Sequence, residues 1–277
     1  MAENNAHYAV NTYSYTMSHT AERCLAHLGE KGYRAFEMMM YPGHAWPPAM
    51  DAAARKALRG QIERSGFRLV SVNMPNIDIN IAGASEEMRA YSLGLVRQFV
   101  QMAGELGAEG LVLGVGKSNP LFPMPYDQLK GHCFAALDQL VPLAAKSGTQ
   151  IWIENMPFSF ISKVKDVMAM LAEYGSDDLG FVYDLANGAF VGEDLAEGIE
   201  TVRSRLKLVH LSDTPKDVYK HDPVGGGIVD FAKAAKKLIE IGYDRPPVLE
   251  IISFTPDPDI AASTDKLNAM GWAKVNA

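Results

Sequence analysis

The 277-residue sequence holds only two cysteines, and no apolar run approaches the ~18 residues that a membrane helix requires. Cys24 and Cys133 show no CxxC spacing, and CLAH at 24–27 has no second Cys or His pair to complete a four-ligand site, so the two support neither a disulfide framework nor a zinc knuckle. Both fall within helix-like segments and read as reduced structural thiols. A basic surplus is also missing. With 26 Lys and Arg against 33 Asp and Glu, the net charge is −7, and no basic cluster interrupts the chain. Nucleic acid and anionic membranes reward clustered cations, so neither is expected as a partner, and a small neutral or polar molecule is. The first residues, MAENNAHYAV, carry no basic stretch followed by an apolar one, which points to the cytoplasm. No low-complexity linker divides the chain. At 48% hydrophobic and 21% charged, it has room for two small domains or one large α/β barrel.

What is present is a strict alternation. Short β-rich runs occur at 8–15, 33–40, 67–74, 110–115, 149–155, 180–185, 206–212 and 247–253, separated by amphipathic stretches such as TAERCLAHLGEKG and FAKAAKKLIEIG. Several of these stretches close on a Gly, as a helix C-terminus favours. Eight units of about 35 residues, with strands apolar enough to be buried on both faces, predict a single (β/α)8 TIM barrel over 1–277. A doubly wound sheet is the alternative, but it wants a Gly-rich turn after its first strand, where NTYSYTMSHT stands.

In such a barrel the chemistry sits at the C-terminal strand ends. Four of those ends are ligand-competent: Glu154 after IWI, Asp184 after FVY, His210 after LKLV and Glu250 after PVL. One strand-end carboxylate is ordinarily a salt-bridge partner or a cap. Three that converge with an imidazole from four consecutive strands repel one another unless a cation lies between them. A set of mostly oxygen with one nitrogen suits Mn2+ first, then Mg2+ or Co2+, with Zn2+ as a further candidate.

Taken together, IWIEN, VYDLAN, VHLSD and VLEI, with HDPVGGGIVDF after the seventh strand, resemble the xylose-isomerase-like TIM barrels over essentially the whole chain. The resemblance implies Glu154, Asp184, His210 and Glu250 as metal ligands. It extends to tagatose and psicose epimerases, inosose isomerases and dehydratases, hydroxypyruvate isomerases and apurinic-site nucleases. The nuclease branch needs further His and Asp ligands where this chain has Asn73, Gly114 or Gly116, Asn187 and Tyr219. Abasic-site cleavage is therefore not expected.

The remaining single-metal branches imply a sugar isomerase or epimerase acting on an unphosphorylated ketose, cyclitol or related hydroxy-ketone. Glu154 and Glu250 would then exchange a proton as base and acid. The alternatives are a dehydratase of the inosose or dehydroshikimate type and a non-catalytic sugar-binding barrel. The resemblance also leaves room for a homo-oligomer, a dimer or a tetramer.

Asn187 stands where many relatives carry His, so it is expected to contact substrate or support a ligand without exchanging protons. Lys216 matches the place of a substrate-contacting Arg, and His221 that of a pocket-mouth histidine. His44 and Trp46 in YPGHAWPP, Phe158 and Glu37 are candidates for the pocket wall. GVGKS at 114–118 lacks Walker spacing, since position 111 is Leu, and Gly225–Gly227 reads as a flexible loop rather than a phosphate cradle.

Overall fold

The computed structural model describes residue 5 and residues 7–276. The start of MAENNAHYAV, where a targeting signal would lie, falls largely outside them. Eight strands form a closed parallel barrel in chain order: β1 Ala9–Asn11, β2 Ala35–Met39, β3 Arg68–Asn73, β4 Gly110–Gly114, β5 Gln150–Glu154, β6 Leu179–Asp184, β7 Leu206–Leu211 and β8 Val248–Leu249. Closure runs through β1 and β8, which pair Ala9 with Val248 and Val10 with Leu249. The chain is a (β/α)8 TIM barrel, and the doubly wound alternative is excluded.

Two strands are shorter than their apolar runs. β1 stops at Asn11 because its Oδ1 accepts the Tyr13 N–H at 2.8 Å and turns the chain into a 3-10 segment, Tyr13–Tyr15. β8 leaves the ladder after Leu249. Beyond it, Glu250 N–H still donates to Leu211, and Ile252 N–H donates to the His221 carbonyl of a neighbouring loop.

The helices follow the amphipathic stretches: α1 Ala21–Glu30, α2 Ala52–Arg64, α3 Glu86–Leu106, α4 Tyr126–Ser147, α5 Val164–Tyr174, α6 Leu185–Phe190, α7 Leu195–Val202, α8 Phe231–Glu240 and α9 Pro256–Ala269. Side chains of Thr20, Asp51, Ser85 and Asp230 cap the starts of α1, α2, α3 and α8. The long helices α3 and α4 end on Gly107 and Gly148, at φ 75° and 76°, where a side chain would be strained. Among the described residues no helix is long and apolar enough to cross a membrane. Cys24 and Cys133 are free and buried in α1 and α4, and burial pushes the Cys133 thiol up to about 12.

Inside the barrel one buried layer takes a side chain from every strand: Ala9, Ala35, Val70, Val112, Trp152, Val182, Leu208 and Val248. Trp152 is the largest side chain in that layer. Its ring requires Gly110 and Gly180 on the flanking strands, since a Cβ at either would lie 2.3 Å from it. This layer is the floor beneath the C-terminal mouth.

Candidate metal centre and active site

Successive inward positions on a strand are two residues apart, so the residue after next from that apolar layer points into the mouth. On β1 and β2 these are Asn11 and Glu37, on β4 Gly114, on β5 to β7 Glu154, Asp184 and His210, and after β8 Glu250. On β3 a register shift opposite Phe36 and Glu37 presents Ser71 and Asn73. The apolar column thus gives way to a polar ring in a single step of the pleat.

Within that ring the structure brings Glu154, Asp184, His210 and Glu250 together, all buried, with one potential ligand atom of each within 4.8 Å of the others. His210 Nδ1 lies 2.9 Å from Glu250 Oε2, 3.1 Å from Glu154 Oε1 and 3.8 Å from Asp184 Oδ2. Its other nitrogen, Nε2, is 3.2 Å from Glu37 Oε2. Glu37 is in turn held by Ser71 Oγ at 2.6 Å, Asn11 Nδ2 at 2.6 Å and Asn73 Nδ2 at 3.2 Å. A carboxylate behind the imidazole fixes its tautomer and rotation, leaving Nδ1 as the nitrogen available to a metal.

The remaining oxygens are sorted the same way. Asp184 caps α6 by accepting the Asn187 N–H on Oδ1 at 2.7 Å, and Glu250 Oε1 accepts from Asn11 at 3.1 Å and Asn73 at 3.4 Å. Asp184 Oδ2 and Glu250 Oε2 are buried without a hydrogen-bond partner. Two carboxylate oxygens with no donor near them but imidazole nitrogens, the closest 2.9 Å from Glu250 Oε2 and 3.7 Å from Asp184 Oδ2, are costly in a buried site unless a cation compensates them. The donor set therefore fits a divalent metal.

Without a cation the cluster holds its charge with protons, which a metal would displace. Burial pushes the Glu154 carboxyl up to about 7 and Asp184 up to about 6, and it raises Glu250 as well. Burial would lower His210, but the carboxylates of Glu37, Glu250 and Glu154 outweigh it and hold the imidazole well above its ordinary value. For Glu37, burial is outweighed by His210, Ser71 and Asn73, so its carboxyl stays below the usual range.

A cavity of about 680 Å3 opens above the ring. Glu154, Glu250, Asn73, Asn187 and His221 line it, whereas Asp184 and His210 lie beneath. Asn187 donates its Nδ2 to the Asn155 carbonyl at 2.8 Å, which fixes the amide and leaves Oδ1 buried without a partner. His221 stands 3.5 Å from Glu250 Oε2 and 3.7 Å from Asp184 Oδ2. Ser212 Oγ holds its Nδ1 at 2.8 Å and Tyr219 OH its Nε2 at 2.7 Å, while burial lowers its pKa.

The xylose isomerase-like TIM barrel family model matches residues 25–270. The chain belongs to this family. One relative, an uncharacterised protein of Methanocaldococcus jannaschii, is 26% identical over 180 residues, covering 63% of this chain. The chain spans about three-fifths of that relative's length, 61%. An L-ribulose-5-phosphate 3-epimerase of Shigella boydii is 24% identical over 222 residues, 79% of this chain and 76% of the relative. Among solved structures, a D-tagatose 3-epimerase-like protein superposes with a TM-score of 0.78 at 23% identity, covering 95% of this chain and 96% of the other. Relatives in this family thus include sugar epimerases, and the fold is theirs.

Four residues expected at the pocket lie elsewhere. His44 is buried outside the cavity, bridging the His19 carbonyl at 2.8 Å and Thr12 Oγ1 at 2.9 Å, so it braces the end of β1. Trp46 packs edge-on against Phe99 of α3, at 5.4 Å between ring centroids. Lys216 is exposed on the excursion closed by the Asp213–Asp222 bridge, and the lysines that line the cavity are Lys117 and Lys220. Glu37 is no pocket wall; it anchors His210. Phe158 does line the cavity and packs against Tyr219 at 5.2 Å.

The Gly225–Gly227 loop is not slack either. Its three N–H groups all donate to Asp213 Oδ2, at 2.8, 3.1 and 2.9 Å, while Thr214 and Val229 donate to Oδ1. The loop is an anion nest filled by the protein's own carboxylate. Asn11, Asn155, Ser212 and Asp213 escape a search of the last apolar-strand residue alone. The period-two step from each strand's core residue would have found Asn11.

Proposed function

We propose that the protein is a divalent-metal-dependent sugar isomerase or epimerase of the cytoplasm. Its substrate is an unphosphorylated ketose, cyclitol or related hydroxy-ketone. One observation carries the reading: Glu154 and Glu250 belong both to the four-residue cluster and to the cavity floor, so groups that would hold a cation also face a substrate. A divalent ion held by Glu154, Asp184, His210 and Glu250 would supply Lewis-acid polarisation of a carbonyl next to the reacting C–H bond. Three oxygens and one nitrogen favour Mn2+, with Mg2+, Co2+ and Zn2+ as alternatives.

The chain's own residues do the rest. One glutamate accepts the proton from carbon, and the other delivers a proton to the opposite face, which is why an epimerase needs two. Burial raises the Glu154 carboxyl to about 7 in the metal-free site, and beside a bound cation it returns toward the ionised form that accepts a proton. Asn11 and Asn73 hold one oxygen of Glu250 and so aim the other at the centre. Asn187 Oδ1 is placed to accept a substrate hydroxyl, and His221, kept uncharged by burial, packs beside both carboxylates.

The relative from Shigella boydii is named for a phosphorylated sugar, but the phosphate-binding features here are engaged within the protein. Lys117 Nζ donates to the carbonyls of Asn76 and Ile77, and Lys220 pairs with Asp222 at 3.7 Å. The glycine nest of Gly225–Gly227 is filled by Asp213.

Incubating the Mn2+-loaded protein with ketoses, inososes and hydroxypyruvate in D2O tests the reading. Deuterium should enter at the carbon beside the carbonyl, and Glu154→Gln or Glu250→Gln should slow its entry by about 1,000-fold or more. Equal turnover by chelator-stripped protein would overturn it. A conjugated enone appearing without exchange would make the enzyme a dehydratase.

A further inference from the structure

The geometry points to a substrate larger than a free sugar: a keto-sugar carrying an apolar substituent, such as an aryl or long-chain alkyl glycoside. The polar end of such a substrate would lie on the glutamate floor and the substituent against the outer wall. The assignment rests on the proposed ketose chemistry for the polar end only.

Size is the first argument. A cavity of about 680 Å3 falls in the range that drug-sized ligands occupy. A free hexose has roughly the bulk of six or seven waters at about 30 Å3 each, and so fills about a third of it. Chemistry of the wall is the second. Polar groups able to orient hydroxyls concentrate on the floor, at Glu154, Glu250, Asn73, Asn187 and His221. The rest of the lining includes Ile79, Ile81 and Met156, the last a flexible side chain that adapts to varied shapes.

The rim supplies the third argument. Ile77, Phe158 and Phe254 all line the same cavity, yet Ile77 is 71% exposed, Phe158 59% and Phe254 fully exposed. Single exposed apolar residues are commonplace, but three on the lining of one cavity give an occupant apolar surface at the opening, beside the charged Asp78, Lys220 and Asp222. The three residues and the two glutamates line the same cavity. An occupant reaching from floor to rim would therefore need a hydroxy-ketone at one end and a hydrocarbon at the other.

Matched probes test this directly: the methyl and phenyl β-glycosides of 3-keto-glucose, titrated by calorimetry into the Mn2+-loaded protein. The phenyl glycoside should bind at least about tenfold more tightly, as expected for burying a ring on an apolar wall. Ile77→Ser and Phe254→Ser change exposed side chains and should leave the fold intact by circular dichroism. Each should reduce the phenyl-to-methyl ratio about threefold or more.

A ratio near one, or a ratio that survives both substitutions, would overturn the assignment. So would a dimer, seen by sedimentation, that Ile77→Ser dissociates without altering the ratio, because that apolar surface would then belong to a second copy of the chain. Deuterium exchange read in parallel separates the two proposals. Tighter phenyl binding without exchange into either glycoside supports the apolar arm and removes the proton transfer. Exchange into both at equal affinity does the reverse.

Discussion

Asp184 and Asn187, three residues apart, divide their work at single atoms. Asp184 gives one oxygen to the first turn of α6 and leaves the other bare among the candidate ligands, while Asn187, which lines the cavity, anchors its amide on Asn155 and leaves a buried acceptor without a partner. Asp184→Ala should therefore abolish metal binding, read as metal content per chain. Asn187→Ala should keep the metal and raise KM roughly threefold to tenfold, the loss expected for one neutral hydrogen bond. The opposite ordering would undo both assignments. Glu37 acts one atom further back, through His210 Nε2. Removing a carboxylate that orients a ligating histidine typically costs about 10–100-fold in metal affinity. Glu37→Gln should show that loss in a competition titration against a chelator, with metal stoichiometry at saturation unchanged.

The element that decides the outer half of the site is the connection between β7 and α8. It leaves the barrel at Ser212, returns through the Asp213–Asp222 bridge and delivers Tyr219 and His221 to the cavity. Asp213 holds the far side of that excursion by accepting five backbone N–H groups. A Cβ on Gly227 would come 2.3 Å from Asp213 Oδ1, so this approach requires glycine there, and Gly225 sits at φ 95°. Asp213→Ala leaves those donors without their acceptor and should cost about 2–3 kcal/mol in calorimetric stability. Hydrogen exchange should rise across 221–229, and kcat/KM should fall although Asp213 touches neither substrate nor candidate ligand. Normal protection of that segment in the variant would show that the nest does not hold the loop.

For the whole molecule, the buried charges predict how stability depends on pH. Glu154 at about 7 and Asp184 at about 6 bind protons more tightly in the fold than in the unfolded chain. Their contribution to the stability of metal-free protein therefore falls as pH climbs from about 4 through 7, whereas His221 and His44, lowered by burial, contribute the opposite sign up to about 6.5. His210, raised well above 6.5, stabilises below that value and loses its contribution as pH rises through its folded pKa, which has the same sign as Glu154 and Asp184. Glu37, held low, has the opposite sign: its contribution is lost only as pH falls below the ordinary carboxylate range, and it adds no slope between about pH 6 and 8. Chelator-treated protein should thus melt lower at pH 8 than at pH 6, and Mn2+ should restore more of the Tm at pH 8. A Tm indifferent to chelation at both values would remove the cation from the cluster.

The sequence by itself determined the barrel and the four residues at its mouth. Apolar alternation and burial on both faces are properties of each strand, and eight repeats leave one closed arrangement. Glu154, Asp184, His210 and Glu250 were legible because each interrupts such a run where the pleat must point inward. Tertiary structure alone decided what surrounds them. His44 and Trp46 sit in the loop after β2, yet His44 is drawn to Thr12 and Trp46 to α3, contacts between segments distant in sequence. Lys216 is turned away by a bridge between Asp213 and Asp222, and the glycine nest is filled by an aspartate twelve residues before it. Loop side chains answer to whichever distant groups satisfy their hydrogen bonds and bury their apolar surface, and no period along the chain records that choice.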